Sequence, residues 1–308
     1  MTKESASRTK LLLAFTAIYV IWGSTYLAIR YAVETIPPFF MMGMRALVAG
    51  IILYVWSRAR GDEPARREHW KGLTIIAMTF FLVGHGILGW SELHIGSGLA
   101  ALLVASEPLW MVSIESYVLR DARVGKLGVF GLILGFIGML LLVVPGGGLS
   151  VHGEEFWAMV AIIVGTMIWS GGAIYARVAP LPKSPIRSAS LELIIGGVML
   201  ILFSLSRKEG IDFSSYSLFS ILNWTYLVVF GSITAFTAYM WLLTVTSATR
   251  ISTHTYVNPI IAVFLGWLIG GEQITGRMVV AAAVIVVSVY LVLKDHMLTE
   301  RAGSRNKG

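Results

Sequence analysis

The sequence predicts an all-α integral membrane protein with ten transmembrane helices. Of its 308 residues, 56% are hydrophobic and only 13% are charged, and the mean hydropathy is +0.77. An ordinary soluble domain contains about 25% charged residues. The charges here are clustered, which leaves long apolar stretches between them, and about 20 apolar residues cross the hydrocarbon core as a helix. A weak internal repeat further indicates that the helices form two halves.

Ten apolar windows are separated by charged, proline-rich or glycine-rich segments. "RARGDEPARREHWK" lies between the second and third windows and "PGGGLSVHGEE" follows the fifth, and such segments are typical of turns. The apolar run after the basic N-terminus is too long for a signal peptide, so we expect it to remain as a span. The predicted spans are residues 11–33, 38–57, 72–92, 97–119, 126–145, 154–176, 187–206, 221–244, 250–271 and 276–294.

The distribution of basic residues predicts the orientation of the spans. With the N-terminus in the cytoplasm, 19 of the 24 Lys and Arg residues lie in inner loops and tails, and three lie in outer loops. Basic residues accumulate on the cytoplasmic side, so both termini are predicted to be cytoplasmic, with tails at 1–10 and 295–308. The net charge of +7 then reflects membrane topology, and we expect no nucleic acid partner.

The two halves of the chain have related sequences. "IWGSTYLAIR" at 21–30 aligns with "IWSGGAIYAR" at 168–177, an offset of 147 residues. "WSELHIGSGLAALLVASEPLW" at 90–110 aligns with "WLLTVTSATRISTHTYVNPII" at 241–261, an offset of 151. We predict two repeats, 11–145 and 154–294. Because each contains five helices, the repeats cross the membrane in opposite directions, as in secondary transporters with a site near the midplane.

These segments resemble the drug/metabolite transporter (DMT) superfamily. The opening "IWGSTYLAIRYAV", the "SEPLW" helix and "NPIIAVFLGWLIGGE" are most similar to its EamA-repeat members, which are ten-helix exporters. The resemblance implies a basket of helices around a central cavity, with the last helix of each half packed outside it. His85 together with Trp110 and Trp169 is similar to the YddG-type amino-acid exporters, whereas other branches handle drugs, nucleotide metabolites or amino-acid derivatives.

Three tryptophans lie near the middle of their predicted helices, although tryptophan usually marks the membrane interfaces. They are Trp22, Trp110 and Trp169. An indole that faces a cavity offers an apolar plane, one N–H donor and a surface for a cation. The alternative is that each fills core space between helices. We predict that they line the cavity, together with Tyr26, which shares a helix face with Trp22.

Polar residues at the same depth complete the predicted site. His85 lies between glycines in "LVGHGIL", where it either contacts a ligand or forms an interhelical hydrogen bond. Three alternatives stay open for the Glu107 side chain: it is protonated, it is paired with a donor such as His85, or it binds substrate. The predicted substrate-binding residues are His85, Trp110, Trp169, Trp22, Tyr26, Ser106, Glu107 and Asn258.

Two prolines occupy equivalent positions in the two repeats. Pro108 and Pro259 each remove a backbone hydrogen bond and free a carbonyl one turn earlier. Such a carbonyl is tolerated inside a membrane only beside protein or a wet cavity. We therefore predict a pair of hinges that open one face at a time.

The sequence favours an exporter of small metabolites in a bacterial inner membrane, working by alternating access. Amino acids are the favoured substrates, apolar and aromatic ones included; efflux of drugs or other metabolites is the alternative, and a membrane enzyme or scaffold is a remote one. No nucleotide-binding motif, metal-ligand spacing or nucleophile motif is present, and the chain has no cysteine. We expect no cofactor and no metal, a monomer among lipids, and transport down a substrate gradient or coupled to protons.

Overall fold

The computed structural model describes residues 8–118, 125–143, 153–245 and 254–305. Within these ranges all regular secondary structure is helical, which confirms the all-α prediction. Over the described residues each predicted span is helical, and the fourth span is interrupted at residues 105–106. The helices of the described residues are α1 Arg8–Ala32, α2 Pro38–Ala59, α3 His69–Ser91, α4 Ser97–Val104 with Glu107–Val118, α5 Lys126–Val143, α6 Gly153–Ala176, α7 Pro185–Ser206, α8 218–245, α9 His254–Leu268 and α10 Gly276–Arg305.

Their length and composition suit a membrane. In the part of the chain that the structure describes, seven helices are apolar over at least 18 residues, and three shorter apolar segments lie in α5, α9 and α10. Helix α10 runs without a break to Arg305, and its apolar part ends at Val292. The last turns of α10 therefore extend into the segment predicted as a cytoplasmic tail.

The inverted repeat is visible in the way α2 and α7 end. Gly61 and Lys208, which are repeat equivalents, both adopt a positive φ, +78° and +56°. In each case the backbone N–H of the next residue donates to the carbonyl of a fully buried serine, Ser57 or Ser204, at 3.1 Å. A left-handed residue after the last turn is a common helix terminator. Helices α2 and α7 thus end with the same backbone geometry, on opposite sides of the membrane.

The residues after these terminators hold the two halves together. Asp62 follows α2 and accepts a hydrogen bond from the Ser184 hydroxyl, 2.7 Å away, just before α7 begins. Glu209 follows α7 and accepts from the backbone N–H groups of Phe39 and Phe40, at 3.3 and 3.1 Å, in the first turn of α2. Helix N-termini present free N–H groups that favour an acid. Each acid thus ties the end of one helix to the start of its repeat equivalent.

Equivalent helices also pack against each other. Gly43 on α2 faces Gly197 on α7, where an added Cβ would lie only 3.1 Å from the carbonyl oxygen of the partner glycine. Gly131 and Gly138 on α5 likewise bring that helix against α10, so its glycine face is used within the chain. The largest buried cluster joins α4, α5, α6 and α10, with Leu109 as one of its fully buried members.

Three helices contain π-helical segments: Ala17–Ile21 in α1, Met78–His85 in α3 and Leu227–Thr234 in α8. The segments of α3 and α8 occupy the third helix of each repeat. π-Helical turns are frequent at functional sites because they widen the helix and redirect side chains. The one in α3 ends on His85.

The two predicted hinge prolines differ in their surroundings. Helix α4 is interrupted at residues 105–106, directly before the segment that contains Pro108. Helix α9 is continuous through Pro259 over its described length. Pro108 lies in the first turn of its segment, where a missing N–H is tolerated, and Pro259 lies inside a helix. That the two prolines act as a pair of hinges stays a prediction.

Candidate functional site

His85 is fixed by its own helix. Its Nδ1 lies 3.1 Å from the carbonyl oxygen of Phe80, and since a carbonyl only accepts, Nδ1 carries the hydrogen. In the neutral imidazole, Nε2 is then left as an acceptor. The Phe81 ring lies parallel to the imidazole, with the centroids 5.2 Å apart. His85 is therefore an oriented, half-buried ring with one acceptor nitrogen to offer.

Trp169 of α6 meets the same part of α3. Its indole stacks on Phe80 with a centroid distance of 4.2 Å and an angle of 14°, and it meets His85 edge-on at 5.3 Å. A Cβ at Gly84 would lie 2.6 Å from the indole, so only glycine permits this approach. Gly84, which precedes His85 in the sequence, thus leaves the space that the Trp169 indole occupies.

Glu107 of α4 joins this pair. The Trp169 side chain lies within reach of the Glu107 carboxyl group. The neighbouring Ser170 hydroxyl donates to the Glu107 backbone carbonyl at 3.3 Å. Glu107 is the first residue of the α4 segment that follows the break. The structure thus brings together three predicted residues, His85, Glu107 and Trp169, from three helices.

Two tyrosines approach Glu107 from the other side. The Glu107 carboxyl acts electrostatically on the phenol of Tyr26 in α1 and on that of Tyr239 in α8. Tyr26 was predicted in the site and Tyr239 was not. A tyrosine inside the eighth predicted span was the signal that could have found it. The sequence could not single out Phe80 as a site residue, since phenylalanine is common in apolar helices.

Trp22 belongs to a neighbouring aromatic group. Its Nε1 donates to the Gly231 carbonyl of α8 at 3.1 Å, so this donor is already used within the protein. The indole contacts the rings of Tyr239 and His254, with centroids 5.3 and 5.2 Å apart. Trp22 can therefore offer a ligand its ring surface, and Tyr239 links this group to Glu107.

Two predicted polar residues have backbone partners. Ser106 is fully buried and donates to the Leu103 carbonyl at 2.6 Å. Asn258 is 7% exposed, and its amide is oriented so that nitrogen donates to the carbonyls of Tyr19 and His254, at 3.1 and 3.2 Å. In this conformation the polar groups of both side chains are bonded to backbone carbonyls of the protein.

Trp110 lies apart from Trp169. Its ring contacts Phe136 of α5 edge-on, with centroids 5.1 Å apart. Its buried Nε1 makes no hydrogen bond to any described residue. Among the described aromatic pairs, Trp110 has none with His85 or Trp169. The prediction that both tryptophans hold one ligand is therefore not supported by a shared contact here.

The outer end of the helix bundle contains an acid that sequence reasoning missed. Glu272, just after α9, accepts hydrogen bonds from the Ser97 backbone N–H and hydroxyl, at 2.6 and 2.7 Å, and from the Gly98 N–H at 3.0 Å. A Cβ at Gly266 would lie 2.7 Å from its carboxylate. Glycines thus leave room for an acid that fastens α9 to the start of α4. The repeat partner of Glu272, Asp121, lies outside the described residues.

A second outer acid is Glu92, at the end of α3. It is fully buried, and both carboxyl oxygens lack hydrogen-bond partners among the described residues. Arg30 donates to its backbone carbonyl, and Arg30 and Arg45 act on it electrostatically. Arg45 is held by a hydrogen bond from its Nε to Ser232 of α8, 2.9 Å long. These contacts join α1, α2, α3 and α8 near the predicted outer side.

No group of three or more His, Asp or Glu side chains in the described ranges could hold a metal ion. The central arrangement instead consists of one acid, one imidazole and several aromatic faces, enclosed by helices from both halves. Such a site suits a small organic molecule that is held by hydrogen bonds and ring contacts.

In the part of the chain that the structure describes, ten helices in two inverted halves have the architecture of an inverted-repeat membrane transporter. The model of the EamA-like transporter family matches residues 9–144 and 156–294. The chain belongs to this family of the drug/metabolite transporter superfamily, and it is a multi-pass protein of the bacterial inner membrane.

Individual relatives agree with this assignment. Over 280 residues the chain is 35% identical to "Uncharacterized inner membrane transporter YedA" of Escherichia coli K12, which covers 91% of this chain and 89% of the relative. It is 26% identical to "Protein PagO" of Salmonella typhimurium, which covers 91% of each chain. A crystal structure with 18% identity superposes with a TM-score of 0.64 and covers 96% of this chain and 99% of the other, which supports the fold.

Proposed function

We propose that the protein exports amino acids, those with apolar or aromatic side chains included, by alternating access. The observation that supports this most is the meeting of Glu107, His85 and Trp169 in mid-span. Helices α3 and α4 of the first half meet α6 of the second half there, and inverted-repeat transporters bind substrate between their halves. An indole face binds an apolar side chain, and a carboxylate binds an ammonium group.

The other predicted residues have supporting places in this proposal. Trp22 and Tyr26 extend the aromatic wall from α1. Ser106, Trp110 and Asn258 position the parts of α4 and α9 that border the site.

Alternating access would use the break in α4. Because Pro108 has no backbone N–H to donate, the two segments of α4 are free to rotate relative to each other. Pro259 is proposed as the corresponding hinge in α9. The contacts of Glu272 with the start of α4 close the outer side, so opening toward the outside requires these hydrogen bonds to break.

The test is uptake of labelled amino acids by the purified protein in liposomes, with and without an imposed proton gradient. We expect saturable uptake of aromatic amino acids above that of empty liposomes. Trp169→Ala should abolish most of it, because the Glu107 partner and the ring surface are both lost. Trp157→Ala is the matched control, since Trp157 lies on the same helix and is 62% exposed.

The outcomes separate the alternatives. Absence of uptake for every amino acid, with uptake of drugs or other metabolites, would replace the amino-acid proposal with the efflux alternative. A rate that does not respond to the gradient would indicate facilitated transport, and a rate that does respond would indicate coupling to protons.

A further inference from the structure

Trp22 and Trp169 are repeat equivalents, yet their indoles are held in different ways. We infer that Phe80 causes this difference. It keeps the Trp169 indole off the backbone of α3 and so leaves the indole N–H for the carboxylate of an amino-acid substrate, whereas Trp22 is a structural residue. This inference rests on the proposed function and assigns a positioning role to a residue that the sequence did not single out.

The two tryptophans meet equivalent positions of the opposite half. Trp22 and Trp169 are separated by 147 residues, the offset between the first helices of the repeats. Phe80 and Gly231 are separated by 151 residues, the offset of the later part of each repeat. Both lie in the π-helical segment of the third helix of their repeat. Each tryptophan therefore packs against the same turn of the other half.

At the contact of α1 with α8, this turn has no side chain. A Cβ added at Gly231 would lie 3.0 Å from the methyl carbon of Thr25, so the helices approach closely. The Trp22 indole reaches the backbone, and its Nε1 donates to the Gly231 carbonyl oxygen at 3.1 Å. A carbonyl held in a helix cannot turn away from its donor. The N–H of Trp22 is therefore committed to the fold.

At the contact of α6 with α3, the bulk lies on the other helix. The repeat equivalent of Thr25 is Gly172. A Cβ added at Gly172 would collide with Thr79 and lie 3.1 Å from the Phe80 ring. The Trp169 indole lies on that ring, nearly parallel to it, with the centroids 4.2 Å apart. A ring thus faces the indole where the other half offers bare backbone.

The N–H of Trp169 consequently has a different kind of partner. The Phe80 carbonyl already accepts from Nδ1 of His85 at 3.1 Å. The Trp169 side chain lies within reach of the Glu107 carboxyl group, which as a side chain can turn away. An indole N–H only donates, so a substrate must offer it an acceptor. In an amino acid that acceptor is the carboxylate, because the ammonium group only donates.

The position of the indole is tested without a ligand. Phe80→Gly recreates the arrangement at Gly231, and the carbonyl of residue 80 has two lone pairs, so it can accept from the Trp169 indole as well as from His85. NMR of the purified protein in detergent, labelled with 15N-tryptophan, shows one signal per indole N–H, and the signals are assigned with Trp169→Phe and Trp22→Phe. Exchange of the Trp169 N–H with D2O should slow by at least about tenfold in Phe80→Gly.

Phenylalanine uptake by liposomes tests the consequence. Phe80→Gly should raise KM at least about tenfold and leave kcat within about twofold, because a substrate donor is lost. Phe80→Leu is the rescue variant, since it keeps a side chain between indole and backbone, and its KM should stay within about threefold of wild type. Phe230→Gly is the matched control, because Phe230 lies in the π-helical segment of α8, is 45% exposed and should not affect KM.

The unaltered protein provides a further measurement, which does not depend on the folding of Phe80→Gly. Added phenylalanine should shift the indole N–H signal of Trp169 and leave the exchange rate of the Trp22 N–H unchanged. Size-exclusion profiles show which variants are folded.

Unchanged exchange of the Trp169 N–H in folded Phe80→Gly would overturn the inference and leave the proposed function intact. A KM for Phe80→Leu as high as that for Phe80→Gly, or a Trp169 signal that does not respond to phenylalanine, would also overturn it. If wild type takes up no phenylalanine, the proposed function and the substrate part of the inference both fail, whereas the exchange measurement still decides whether Phe80 holds the indole off the backbone.

Discussion

At the scale of single residues, two tryptophans with similar sequence contexts have different surroundings. Trp169 stacks on Phe80 and lies within reach of the Glu107 carboxyl group. Trp110 packs against Phe136, and its buried N–H has no described partner. Both tryptophans lie in mid-span, so they differ in the partner that each indole N–H can reach. Trp169 orients the acid of the proposed site, whereas Trp110 contributes ring volume to the contact between α4 and α5.

Replacing each tryptophan with phenylalanine separates these roles. Trp169→Phe keeps a ring but loses the indole N–H that lies within reach of Glu107, so KM for phenylalanine uptake should rise by about tenfold. Trp110→Phe loses no described hydrogen bond and should leave KM within about twofold. Uptake kinetics in liposomes provide the measurement. An equal rise in KM for Trp110→Phe would show that Trp110 reaches the substrate during transport.

At the scale of elements, the crossed contacts between α2 and α7 form a fixed frame. Asp62 and Glu209 lie on opposite sides of the membrane, and each bonds groups at the start of the repeat-equivalent helix. Close glycine contacts along the same pair leave little space for sliding. We expect this pair to remain together while α4 and α9, which carry the hinge prolines, move.

The Asp62 contact predicts a pH dependence of stability. Hydrogen bonds from the hydroxyls of Ser57 and Ser184 hold the pKa of Asp62 below its ordinary value of 3.8. A lowered folded-state pKa means that the contribution is complete above the ordinary value and is lost as the pH falls through the folded-state value. Asp62→Asn should therefore lower the melting temperature at neutral pH by about 2 °C.

Thermal unfolding of the purified protein, followed by tryptophan fluorescence from acid to neutral pH, provides the measurement. The difference between wild type and Asp62→Asn should disappear in acid. Glu63→Gln is the control, since Glu63 is adjacent and its side chain is 64% exposed. A difference that persists unchanged in acid would contradict an electrostatic origin.

At the scale of the whole molecule, the described contacts close the outer side. Glu272 bonds the first turn of α4, and Arg30 bonds the end of α3. The Glu272 contact joins helices of the two halves, and the Arg30 contact joins α1 to α3. If the protein works by the proposed alternating access, release of these contacts would expose the site to the outside.

Glu272→Gln should shift the molecule toward its outward-open form. The amide cannot provide the charged acceptors that bind the α4 N-terminus, so the open population should rise by about tenfold. The chain has no cysteine, so a single Leu27→Cys reports on access. Leu27 is 6% exposed in α1, next to Gly270, and its labelling by an impermeant maleimide should accelerate.

Leu53→Cys is the matched control, because Leu53 is 1% exposed in the α2 frame and should stay unreactive in both backgrounds. Unchanged labelling of Leu27→Cys in the Glu272→Gln background would mean that Glu272 does not hold the outer side closed. Faster labelling at both positions would indicate general loosening of the fold.

The sequence by itself determined the ten spans, their orientation and the repeat. Hydropathy, the distribution of charges and the turn-forming segments between spans all follow directly from the order of the residues. It also identified Glu107, His85 and Trp169 as mid-span residues. Only the tertiary structure decided that these three meet, and that Trp110 faces α5. Contacts between helices depend on the rotation and depth of each helix. Interhelical packing sets both, through features such as the close approach at Gly84 and the hydrogen bonds of Glu272.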